Sequence, residues 1–116
     1  PYSFTGFFQP VDSWPTLNRV QAGRAIPMKF SLGGNFGLNI FQAGSPASQS
    51  INCQSSVLVD QIETTVAAGA SSLSYDPLTG QYTYIWKTEK GWSGCRQLVL
   101  TFTDGSTHRA AFTFTK

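Results

Sequence analysis

Charge is scarce in this chain of 116 residues: Asp, Glu, Lys and Arg together make up only 12%, and eight cations against six anions leave a formal net charge of +2. No run of like charges occurs. A surface that tracks a phosphate backbone needs clustered cations, so nucleic acid is not an expected partner. Long apolar runs are missing as well. Nothing approaches the roughly 18 to 20 residues that cross a bilayer as a helix, and no charged start precedes a short apolar core as in a signal peptide. The chain therefore reads as soluble, without membrane insertion. Because it begins at Pro1, an export signal is expected upstream, in a longer parent polypeptide. Cysteine is limited to Cys53 and Cys95, too few and too far apart for a four-thiolate zinc site or a CxxC redox pair. A Cys53–Cys95 disulfide is expected, implying an oxidising compartment; two buried thiols acting as small hydrophobes are the alternative.

What the chain does contain is 41% hydrophobic and 14% aromatic residues, enough to fold and to build one core over residues 1–116. Its patterning has a period of two. Ile26, Met28, Phe30 and Leu32 share one face while Pro27, Lys29 and Ser31 take the other, the signature of a half-buried strand. Pro27 lacks an N–H and belongs on an edge or at a bulge. Phe36, Leu38 and Ile40 repeat the pattern after a Gly33-Gly34-Asn35 turn signal, and further strands are expected over Val57 to Val66, Leu73 to Tyr75, Tyr82 to Lys87, Gln97 to Thr103 and Thr107 to Thr115. Ile62 to Ala70 reads as a strand fraying into a loop. Pro10 and Pro15 make residues 1–18 an extended lead-in. Seven or eight short strands in this length predict an all-β fold, an antiparallel immunoglobulin-like β-sandwich, with a barrel as runner-up. In the last hairpin, Leu98, Leu100 and Phe102 must share a face with His108, Ala110 and Phe112. That requires a three-residue loop, Thr103-Asp104-Gly105, with Leu100 opposite His108.

The run Asn18-Arg19-Val20-Gln21-Ala22-Gly23-Arg24-Ala25-Ile26-Pro27-Met28-Lys29-Phe30-Ser31-Leu32-Gly33-Gly34 resembles the signature of the PxKF domain. Tyr84-Ile85-Trp86-Lys87-Thr88, Cys95-Arg96-Gln97-Leu98 and Asp104-Gly105-Ser106-Thr107-His108 are similar to that domain's later landmarks, in the same order. The resemblance implies a bacterial, exported, multidomain parent in which this domain is appended to enzymes or other extracellular modules. It implies no activity. The chain departs from the pattern at Trp14, where smaller residues are common, and is one residue shorter just before Cys95.

Catalytic signals are thin. His108, the only histidine, alternates with apolar residues, and no serine sits in a GxSxG context. Six carboxylates are available for a glycosidase pair: Asp12, Asp60, Glu63, Asp76, Glu89 and Asp104. Asp76 and Asp104, however, stand where side-chain oxygens support turns. No enzyme and no cofactor are expected, a small glycoside hydrolase being the remote alternative. No DxDxDG calcium loop is present, although calcium held by loop carbonyls leaves little trace in sequence. Aromatic platforms for sugar rings are the remaining clue. Tyr82, Tyr84 and Trp86 share a strand face and are assigned to the core. Trp92, in Gly91-Trp92-Ser93-Gly94, is the candidate platform, with Lys90 and Arg96 as polar neighbours; a lid over the disulfide is its bland counterpart. Trp14 is the second candidate, or simply a pin for the lead-in. The expected function is a secreted or cell-surface accessory module that binds polysaccharide or surface glycan, with a spacer or protein-contact domain lying against neighbouring domains as the alternative. Exposure of the aromatic rings discriminates between them.

Overall fold

The computed structural model describes residues 2–14, 16–54 and 73–116, together with the backbone of 63–64 and 66–67. Ten strands are present among them: β1 (Thr5–Phe8), β2 (Leu17–Gln21), β3 (Ala25–Ser31), β4 (Ala47–Ile51), β5 (Glu63–Thr64), β6 (Val66–Ala67), β7 (Leu73–Asp76), β8 (Gln81–Lys87), β9 (Gly94–Thr101) and β10 (Thr107–Thr115). They form two sheets, one ordered β1-β3-β8 with β6 and β7 both on the far edge of β8, the other ordered β2-β10-β9-β4-β5. The pairs β1-β3-β8-β7 and β10-β9-β4 reproduce the four-plus-three arrangement of an immunoglobulin-type sandwich. Every pairing is antiparallel except β2 with β10, which is parallel.

Period-two patterning makes the core. From β3 and β8, Met28, Phe30, Tyr82 and Trp86 meet Leu98 and Leu100 from β9, Phe102 just beyond its end and Phe112 from β10, all of them fully buried. Trp86 is an inter-sheet side chain, its ring 5.1 Å from that of Phe112. Its Nε1 is buried without a hydrogen-bond acceptor, a penalty that the surrounding aromatic packing must exceed. Pro27 lies inside β3 without breaking it. Arg24 O accepts the Thr88 N–H, so the bonded pairs with β8 fall on Ile26 and Met28, and Pro27 turns to the opposite edge.

The last hairpin has the expected register: His108 opposes Leu100 and Ala110 opposes Leu98. Phe102 N–H donates to Ser106 O and Gly105 N–H to Phe102 O, closing a three-residue loop with Gly105 at φ 90°. Leu73 to Tyr75, Tyr82 to Lys87 and Thr107 to Thr115 all fall on strands.

Three expectations need correction or completion. The Phe36, Leu38 and Ile40 alternation is not a strand. Gly33 and Gly37 take φ of 86° and 78°, and Tyr82 Oη accepts the Phe36 N–H and donates to Gly37 O. The segment arches as a result, leaving Phe36 and Leu38 50% and 58% exposed and only Ile40 buried. The lead-in over 1–18 is not merely extended, since it supplies β1 to one sheet and starts β2 in the other. β4 also appears where no strand was expected. Of the Val57 to Val66 and Ile62 to Ala70 readings, only the backbone of the short strands β5 and β6 lies within the described residues.

Candidate functional site

Trp92 belongs to the turn between β8 and β9, where its N–H donates to Glu89 O at 3.1 Å. This turn is fastened to the one joining β2 and β3: Thr88 Oγ1 donates to Arg24 O at 2.6 Å and accepts the Gly23 N–H at 3.0 Å. Gly23 has φ +93°, and a Cβ there would lie 2.7 Å from Lys90 Cγ. Close approach of the two turns thus depends on that glycine. The Trp92 ring is turned inward, 5.7 Å from the Trp86 ring and 5.4 Å from that of Phe114. Arg96 lies over it with Cζ 4.0 Å from the ring centroid, a cation–π contact. Trp92 is therefore a half-buried plug at one end of the core, not an open ring. Arg96 touches it; exposed Lys90 leans on Gly23 instead.

Trp14 lies elsewhere. Its N–H donates to Arg109 O, and its ring packs against Ile51, Cys95 and Ala111, a small cluster apart from the main core. By strand alternation these three point away from the inter-sheet core, so Trp14 covers the outer face of the second sheet. Arg109 caps it, with Cζ 3.8 Å from the centroid. Cys95 is bonded to Cys53, with Cα atoms 5.3 Å apart. The lid beside the disulfide is therefore Trp14, and Trp92 packs on the opposite side of β9. The two candidate rings form no common platform.

Sequence reasoning missed the polar row beside Trp14. Arg109 donates to Gln97 Oε1 and Gln97 Nε2 to Gln49 Oε1, both at 3.4 Å, linking β10, β9 and β4. Alternation along β9 places Gln97 on the outer face with Cys95, but only the pairing register brings in Gln49 and Arg109.

Asp104, Asp76 and His108 are committed to structure. Asp104 accepts the Ser106 hydroxyl at 2.6 Å, the Ser106 N–H at 2.9 Å and the Tyr2 N–H at 2.8 Å, and these bonds hold its carboxyl down at about 2. Asp76 accepts the Leu78 N–H in the same manner. His108 stacks on Phe4 with ring centroids 3.7 Å apart. Burial lowers its pKa, opposed by the Asp104 charge. Among the described residues no three His, Cys, Asp or Glu side chains gather as metal ligands, and no helix is long and apolar enough to cross a membrane.

No family model matches the chain, and no curated protein is found as a relative. The fold and the disulfide therefore carry the argument. The disulfide is compatible with an extracellular location.

Proposed function

We propose that this chain is a non-catalytic extracellular module of spacer or protein-contact type, part of a secreted bacterial polypeptide, rather than a polysaccharide-binding platform. One observation carries the reading: of the three Trp and four Tyr, none is exposed. A Trp or Tyr platform needs at least one such ring face open to a sugar, and the exposed aromatic Phe36 lacks their polar tip and leans on Tyr2, ring centroids 4.8 Å apart. Here Trp92 and Trp14 are each half-buried against protein with a guanidinium over the ring. The bonds that tie Asp76 and Asp104 to turns, and the stacking of His108 on Phe4, favour a non-catalytic role. The resemblance to the PxKF domain points the same way.

The test is retention of the isolated chain on insoluble polysaccharides and in gels containing soluble ones. The reading expects mobility and recovery equal to those of a non-binding control. Specific retention that is lost in Trp14→Ala or Trp92→Ala, with an unchanged unfolding temperature, would restore the polysaccharide reading.

A further inference from the structure

Between β1 and β2 the chain crosses from one sheet to the other, and the crossing leaves two strand edges open. β1 reaches only Lys29 to Ser31 of β3, so the Ala25 to Pro27 half of that edge has no strand partner among the described residues. Among the described residues β2 pairs with β10 alone. Ala22 N–H donates to Thr115 O, which fixes the parity of the parallel ladder: Asn18 and Val20 face β10, while the backbone groups of Leu17, Arg19 and Gln21 point outward. A groove of about 670 Å³ lies between these edges, with Val11, Ile26 and Phe112 buried in its floor and Arg19 and Arg24 exposed at its rim. The two edges are unequal. Pro27 can offer only a carbonyl, so β3 is the wall; on β2 the Arg24 N–H already holds Gln21 O, but Leu17 and Arg19 still turn both N–H and C=O outward, so β2 is the edge that can accept a strand.

Charge selects the occupant. Arg19 makes no ion pair among the described residues, and Arg24 only donates from Nε to Gln21 Oε1 at 3.0 Å. The one carboxylate on the lining, Asp12, accepts from Gln9 at 3.1 Å. A second copy of this chain is a poor occupant: Arg19 is the central residue of β2, so a twofold pairing of two β2 edges would set Arg19 against Arg19. An added strand would alternate its side chains, one set over the apolar floor next to Val20, the other beside Arg19. We propose that the β2–β3 groove accepts an extended segment of a partner protein in which small apolar and acidic residues alternate, added as a strand to β2. The inference rests on the protein-contact reading and gives that reading its partner chemistry.

The probe is a fluorescein-labelled peptide, Thr-Val-Glu-Val-Glu-Val-Thr, titrated with the intact chain and followed by anisotropy. Its Lys-for-Glu counterpart and an alternately N-methylated version serve as controls. Saturable binding of the acidic peptide is expected, weakened at least about tenfold in both control peptides and in an Arg19→Glu, Arg24→Glu double variant. Both arginines are exposed, so the double variant should keep the native unfolding temperature. Slowed amide exchange at Arg19 and Gln21 on peptide addition would place the strand. No saturable binding, equal binding of the acidic and basic peptides, or undiminished binding to the double variant overturns the proposal. Polysaccharide retention would instead overturn the reading on which it rests, so the two failures are distinguishable.

Discussion

Two tryptophans in this sandwich sit under arginines, and they do different work. Trp92, beneath Arg96, closes the end of the inter-sheet core against Trp86 and Phe114. Trp14, beneath Arg109, lies outside that core and shields the cluster around Cys95. The same local motif serves once as a plug and once as a cover. A loop context of glycines, as around Trp92, does not by itself mean an exposed ring, because a turn can fold its aromatic back onto the sandwich end.

The largest effect is expected from removing what Trp14 covers. Replacing both Cys53 and Cys95 by Ser opens a loop spanning a sequence separation of 42, and the chain-entropy model places the loss at about 4 kcal/mol. Urea unfolding of the double variant should show it, while intact protein should yield no titratable thiols when denatured without reductant. Trp92→Ala comes next, at about 2 to 3 kcal/mol, because it vacates a half-buried site against the main core. Trp14→Ala should cost about 1 to 2 kcal/mol, since it uncovers an outer face rather than hollowing the interior. An equal loss in the two variants, by thermal or urea melts, would erase the distinction between plug and cover. Arg96→Gln and Arg109→Gln should each cost only about 0.5 to 1 kcal/mol, the size of an exposed cation–π contact, and a double-mutant cycle with each Trp isolates that term.

The smallest effect is in the pH profile. Burial favours neutral His108, so its contribution is intact above the ordinary value of 6.5 and declines as pH falls below it. Asp104 contributes above the ordinary carboxylate value of 3.8, a contribution lost as pH falls toward about 2. Stability should therefore decline in two steps on acidification. His108→Gln should abolish the upper step and leave the lower one, as read from unfolding midpoints between pH 8 and pH 2, a range that brackets both windows.

Legibility in the sequence followed the polarity of inward positions. β3, β8 and β10 could be read because their core-facing residues are apolar and their partners polar. β2 and β4 were hidden because their inward positions include Asn18, Ser48 and Ser50. Asn18 is usable inside only because its amide bonds Asp12 and Ala111. Phe36 and Leu38 misled in the opposite direction: their alternation is genuine, but two glycines at positive φ and the Tyr82 hydroxyl turn the segment into an exposed arch. The hairpin register was legible because a slip of one residue would have exposed a whole apolar row. At the candidate site, the cysteine pair was readable from its scarcity. Arg96 beside Trp92 was readable from their closeness in sequence, whereas the Arg109 cap was not, since Arg109 and Trp14 are nearly the whole chain apart and meet only where the lead-in reaches β10.

None of the three tryptophans is exposed: Trp86 is buried, and Trp14 and Trp92 are half-buried. Acrylamide quenching of tryptophan fluorescence in the native chain, compared with the urea-unfolded chain, tests it most directly. All of the native emission should be quenched less readily than the unfolded emission, with Trp86 the most protected ring. A component carrying one tryptophan's share of the emission that is quenched as readily as in the unfolded chain, and is removed by Trp92→Phe, would contradict it.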